Sequence, residues 1–366
     1  MENILEYKTH SDQRVKRQIG IWLLVGYSMV FIMLILGGAT RLTQSGLSIV
    51  EWNVIMGIVP PLNDSDWNSA FEKYKQFPEY NILNKTMTVE DFKGIFWWEY
   101  IHRVWGRLIG LVFIIPFTIF VFQKKLSVPW IRRLTGVFLI GAFQGFVGWY
   151  MVKSGLIDNP HVSHYRLTLH LFLAFSICGL LLWYAAVWLT KNEFEKTIFV
   201  NTFVRKFSSA VVMLILLQTM LGGLVAGLKA GYMFNTYPKM GVDWLPEAAW
   251  MMEPLWINFL ENAVMIQFIH RTMALVVLAA IFVFWIKTRS LELSSRLRMD
   301  IMLLVIMAIV QLTLGIITVL FSVPVLWGVA HQAGALVLFS LAVQVRFQLG
   351  RHSKNEFDQL EKNESV

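Results

Sequence analysis

Apolar runs of about 20 residues, each closed by charged or turn residues, recur eight times along the chain, over 20–38, 97–122, 134–152, 167–189, 207–228, 262–286, 301–322 and 326–347. A helix rises ~1.5 Å per residue, so each run reaches across the ~30 Å apolar core of a bilayer. A chain in lipid must satisfy its own backbone polar groups, so the pattern predicts an all-α polytopic membrane protein with eight transmembrane helices. In the long loop 39–96, Pro60, Pro61, Asn63 and Asp64 mark turns, and the run Trp67–Phe77 reads as an amphipathic segment suited to the membrane surface. Thr88 with Asp91 forms a capping box for a helix leading into the second span.

The second half of the pattern repeats the first. GGATRLTQSG at 37–46 aligns with GGLVAGLKAG at 222–231, IHR at 101–103 with IHR at 269–271, QGFVG at 144–148 with QLTLG at 311–315, and His170 with His331. Four spans return the chain to its starting side, so two repeated four-helix bundles of like orientation are expected. The division that follows is a segment 1–19, a first bundle 20–189, a linker 190–206, a second bundle 207–347 and a tail 348–366.

Composition agrees with this picture, and charge adds an orientation. Only 15% of residues are charged and 56% are hydrophobic, where a soluble domain carries about 25% charged. The formal charge of +8 would suit nucleic acid or anionic lipid, but 20 of the 32 Lys and Arg lie on the side of the termini, counting Arg346 at the inner end of the last span. Nine lie on the other side, and Arg103, Arg107 and Arg271 fall within spans. Basic residues in fours on short loops follow the positive-inside rule, which puts both termini in the cytoplasm, or in the matrix of a mitochondrion, and leaves no concentrated patch for nucleic acid. Glu2, Glu6 and Asp12 are unlike an acid-poor transit peptide, so a bacterial plasma membrane is expected rather than a mitochondrial inner membrane. The single cysteine, Cys178, excludes an intrachain disulfide and a cysteine-based metal site.

Four of the eight histidines, His102, His170, His270 and His331, fall in the second, fourth, sixth and eighth spans, each near the outer end. Four imidazoles at one depth on facing helices, two per half, suit axial ligation of haem iron by the pairs His102/His170 and His270/His331. Zinc or copper would want a third ligand, which neither half offers in a compact motif unless Glu99 serves. Arg103 and Arg271 each follow a histidine near the outer headgroups, where a guanidinium would clamp a propionate or snorkel to lipid phosphate. Glu99 lies one turn before His102, while the second half has Gln267 there. The repeat is thus broken where a proton-handling carboxylate would act; the plainer reading is an i,i+4 ion pair with Arg103. Glycines such as Gly37, Gly148, Gly222 and Gly315 read as packing positions.

In combination, GGATRLTQSGLSIVEWN at 37–53, EYIHRVWGRLIG at 99–110, YRLTLH at 165–170, FIHR at 268–271 and AHQ at 330–332 resemble the haem A synthases over about 20–347. The likeness is to the mitochondrial and proteobacterial branch, which lacks a cysteine pair in the first outer loop, although Glu51 stands where that branch often has aspartate. The resemblance implies oxidation of the C8 methyl of haem O to a formyl group, through a hydroxymethyl intermediate, giving haem A for cytochrome oxidase. It implies that His102 and His170 hold substrate haem O beside a catalytic Glu99, and that His270 and His331 ligate a haem B cofactor. Arg103 and Arg271 would meet propionates, with Arg41 a weaker candidate. Haem O synthase is the implied hand-over partner, together with an electron donor of unknown identity, and an oligomer is compatible with the pattern.

Two other classes fit the same ligands: a non-enzymatic di-haem electron carrier of the b type, and a haem transporter or chaperone. A transmembrane relay wants haems near opposite faces, whereas these histidines share one depth, and Glu99 breaks the repeat. Haem chemistry before and after incubation separates a transporter from an oxidase. An iron with two histidine ligands has no open position for oxygen, so a substrate iron so held must lose one ligand or the oxidant must form elsewhere.

Overall fold

The computed structural model describes residues 2–51, 59–155, 162–190 and 202–364, with side chains described from residue 13 to residue 350 of these. Trp52 and Asn53 of the first motif, and residues 191–201 of the expected linker, lie outside the described residues.

The helices run in the order α1 (Glu2–Leu42), α2 (Asp64–Tyr74), α3 (Pro78–Leu83), α4 (Val89–Phe122), α5 (Val128–Gly155), α6 (His164–Leu189), α7 (Thr202–Gly227), α8 (Asn258–Glu261), α9 (Ala263–Thr288), α10 (Ser295–Leu320) and α11 (Val325–Glu364). Eight of them, all but α2, α3 and α8, are long and apolar enough to cross a membrane. The chain is an all-α polytopic membrane protein. Where the described residues overlap them, the segments expected to flank the spans, 1–19 and 348–366, are continuations of α1 and α11.

Capping residues fix where helices begin. Thr88 accepts from the Asp91 N–H at 3.3 Å while Asp91 accepts from the Thr88 N–H at 3.0 Å, the reciprocal box anticipated for α4. This start raises α4 two turns above the expected beginning of its span. On that raised stub packs α2, whose Trp67, Phe71 and Tyr74 bury against Phe92 and Phe96. The stripe expected to lie on the membrane surface is therefore covered by protein, because a helical post stands beside it to receive it.

Two rings of four helices close on themselves through contact of successive members. One is α1, α4, α5 and α6, and the other α7, α9, α10 and α11. They meet through α1 with α11, α6 with α7 and α6 with α11. At this seam the Tyr27 and Ser340 hydroxyls lie 2.7 Å apart, Gln332 donates to the Leu34 carbonyl at 2.9 Å, and the Phe175 and Phe339 rings meet edge to face at 5.6 Å. One buried apolar cluster runs through both rings.

Candidate functional site

Each of the four span histidines lies against a glycine of the preceding long helix: His102 against Gly37, His170 against Gly148, His270 against Gly222 and His331 against Gly315. A Cβ at these glycines would stand 3.0, 2.9, 3.2 and 2.9 Å from the histidine Cε1, a clash at Gly148 and Gly315 and an unusually tight contact at Gly37 and Gly222. The glycines thus cut four recesses into which imidazoles settle edge-on. Their repeat spacing, visible along the chain as packing glycines, acquires this second meaning only from the packing.

In the second ring, His270 and His331 face each other with ring centroids 6.5 Å apart and planes at 89°. Both line one cavity. Its walls are apolar, with Phe175, Ile215, Val277 and Leu338 among them, and its polar groups include Arg41, Lys229, Arg271, Tyr232 and Tyr237. Arg41 belongs to α1, yet it serves the cavity of the other ring, since the C-terminal end of α1 packs on the start of α11, with Leu42 against Gly328 and Gly38 against Gln332. In the first ring the Nδ1 atoms of His102 and His170 are buried and have no side-chain hydrogen-bond partner.

The two arginines that follow histidines do matching work on the loops that follow α1 and α7. Arg103 Nη2 donates to the Ile49 carbonyl at 2.8 Å and Nη1 to the Glu51 carbonyl at 3.3 Å. Arg271 donates to the Phe234 carbonyl at 2.6 Å and the Thr236 carbonyl at 2.8 Å, residues that align with 49 and 51 in the repeat. Arg103 is also paired with Glu99 at 2.5 Å. The other carboxylate oxygen accepts from the Ser48 hydroxyl at 2.7 Å and the Ile49 N–H at 2.9 Å. Glu99, only 2% exposed, is therefore a strut between the loop after α1 and α4, and the ion pair weighed from the sequence is formed. Gln267 in its place donates to the Phe234 carbonyl at 3.0 Å. Arg271 keeps one contrast with Arg103: its buried Nε has no partner, and its side chain lines the cavity.

Sequence reasoning passed over the glutamines one turn before three of the four glycines. Gln218 Nε2 lies 3.1 Å from His270 Nδ1 and donates to the His270 carbonyl at 3.0 Å. Gln311 repeats both contacts on His331, at 3.1 and 2.8 Å. The signal was present in the aligned QGFVG and QLTLG strings, as an amide and a glycine sharing one helix face at i and i+4.

Fold and site define a class: a multi-pass membrane protein with half-buried histidine pairs between its helices, set in glycine recesses. Residues 20–343 match the COX15-CtaA family, described as a cytochrome oxidase assembly protein, and the chain belongs to that family. Among its relatives, the heme A synthase of Nitrosospira multiformis is 47% identical over 350 residues, covering 95% of this chain and 98% of that protein. The heme A synthase of Paramagnetospirillum magneticum is 45% identical, covering 92% and 94%. The heme A synthase COX15 of Arabidopsis thaliana is 43% identical, covering 93% and 76%.

The donor set fits a haem. A metal-bound imidazole nitrogen stands ~2.0 Å from its metal, and the ring centroid roughly 1 Å behind it, so two rings on opposite sides of one ion have centroids about 6 Å apart. The observed 6.5 Å between His270 and His331 matches. An apolar cavity with cationic groups suits a flat macrocycle that carries carboxylates.

Proposed function

We propose that this protein is a haem A synthase, oxidising the C8 methyl of haem O to a formyl group for cytochrome oxidase. The observation that carries the reading is the set of four half-buried histidines, each in its own glycine recess and two to a ring of helices. On this reading the two rings are copies, the first for substrate and the second for a resident haem B. His102 and His170 hold haem O, and His270 and His331 hold haem B. The bound cofactor supplies one-electron transfer. Arg41, Lys229 and Arg271 meet the cofactor's carboxylates, and the apolar walls keep water from its faces.

Glu99 takes the proton released as the methyl carbon is oxidised, one helical turn from His102. Its oxygens are held by Arg103, Ser48 and Ile49, so accepting a proton loosens the outer loop's hold on α4. Arg103 carries charge next to the substrate side while tying the loop down. Both termini lie in the cytoplasm of a bacterium, which puts the haem sites toward the outer leaflet. Haem O synthase hands over the substrate; the methyl-to-formyl change removes four electrons, for which dioxygen is the oxidant, and a separate donor supplies the further electrons its reduction needs.

The test is expression in cells that supply haem O, followed by extraction and mass identification of the porphyrins bound to wild type and to His270→Ala. Haem A with wild type alone supports the synthase. Unaltered haem B alone in wild type, with haem O available, overturns it in favour of an electron carrier.

A further inference from the structure

The two rings treat their histidines differently. In the second ring one glutamine amide grips both the imidazole Nδ1 and the main-chain carbonyl of the same histidine, at His270 and again at His331. Gripping ring and backbone together leaves the side-chain torsions little freedom, and the ring is also pressed on a glycine. The Oε1 of Gln218 and of Gln311 is buried and without a partner. When a metal takes the ring Nε2, the ring proton sits on Nδ1; the amide, turned over, presents that spare oxygen as its acceptor and gives up the histidine carbonyl, so the metal-bound lock is the single Nδ1–H to Oε1 bond.

In the first ring one histidine keeps its glutamine and the other does not. Gln144 stands one turn before Gly148, against which His170 packs, and its Oε1 is as free as those of Gln218 and Gln311. One turn before Gly37, where the repeat places the counterpart of Gln218, the chain has Met33. Its thioether is no hydrogen-bond donor, its methyl packs toward Gly106, and the His102 Nδ1 is left buried with no partner.

We propose that Gln218 and Gln311 are positioning residues that lock His270 and His331 onto a permanent haem, and that Met33 leaves His102 unlocked so that substrate and product haem exchange. This rests on the assignment of the second ring to the resident haem and the first to substrate. It assigns a physical reason to the asymmetry: a cofactor must stay through every cycle, while haem O must enter and haem A must leave. It also identifies His102 as the ligand that lets go, which answers how an iron held by two histidines gains an open position.

The experiment compares full-length, detergent-purified wild type with Gln218→Met, Gln311→Met, Gln218→Glu, Met33→Gln and His270→Ala. Haem B content after washing, the midpoint potential and the low-spin resonance spectrum of the bound haem report on the second ring. Transfer of haem A to added apomyoglobin reports on the first. Loss of a partner behind a metal-bound histidine weakens holding by about 10- to 100-fold. Gln218→Met and Gln311→Met are therefore expected to lose haem B at least about tenfold faster, with a shifted potential. Gln218→Glu restores retention, since a carboxylate accepts from Nδ1–H, and lowers the potential. Met33→Gln slows haem A release about tenfold.

Wild-type haem B retention and potential in both methionine variants, or wild-type release from Met33→Gln, overturns the proposal. Should Gln218→Met fail to accumulate, Gln311→Met and Gln218→Glu carry the same readouts. His270→Ala separates the two levels. If it keeps haem B with an unchanged spectrum, the ligand assignment itself falls; if it loses haem B while the glutamine variants behave as wild type, only the lock falls.

Discussion

At the scale of single residues, the glycines facing the histidines are the most demanding positions. At Gly315 an added methyl would meet the His331 Cε1 at 2.9 Å. The imidazole has a buried seat and no slack, and overpacking of this kind costs about 1–3 kcal/mol. Gly315→Ala is expected to keep its helix content, lower the unfolding temperature and lose haem B, measured by circular dichroism and haem content together. Glu99 offers a contrasting case, because Glu99→Gln preserves shape while removing the charge and the proton acceptor. Turnover should fall by about 100-fold or more with haem still bound, the range for a lost acid–base group. Full turnover with a normal haem complement would remove Glu99 from the chemistry and leave it a strut.

At the scale of elements, the loops after α1 and α7 are fastened to the heads of the helices that bear His102 and His270. Asn262 caps α9 by accepting from the Val264 N–H at 2.9 Å and the Met265 N–H at 3.3 Å, and donates to the Ala248 carbonyl of the loop at 2.8 Å. Asn262→Ala removes the cap, at about 1 kcal/mol, and strands a loop carbonyl, at about 1 kcal/mol more. A lower unfolding temperature in thermal denaturation is the expected result. On the other loop, Glu79 in α3 is buried beside Tyr74, and burial pushes its carboxyl from 4.5 up to about 7; the Tyr74 hydroxyl opposes the shift and the charge of Glu99 adds to it. The folded acid holds its proton more tightly than the unfolded one. Stability is therefore greatest below about pH 4.5, falls as pH rises to about 7 and levels off above that. Glu79→Gln should remove that fall, seen as equal unfolding temperatures at pH 5 and pH 8 where wild type loses some.

At the scale of the molecule, the orientation can be read chemically, because Cys178 is buried and so inert to reagents. A single cysteine placed by Glu72→Cys, on the exposed face of α2, should react with a membrane-impermeant maleimide on intact cells, and Arg289→Cys should not. The reverse pattern would invert the topology.

The sequence by itself determined the eight spans, the four histidines within them and the Glu99–Arg103 spacing that forms an ion pair. These follow from local rules: a segment in lipid must satisfy its own backbone, and residues three or four apart share a helix face. Only the tertiary structure decided which surfaces meet. It covered α2 with the raised head of α4, turned Arg103 and Arg271 onto loop carbonyls, sent Arg41 from α1 into the cavity of the other ring, and set Gln218 and Gln311 behind their histidines. Each of these pairs a group with a partner far along the chain or on another helix, and no periodicity within one helix encodes the rotation of its neighbour. That rotation comes from packing all eight helices at once, with glycines fixing how closely they approach.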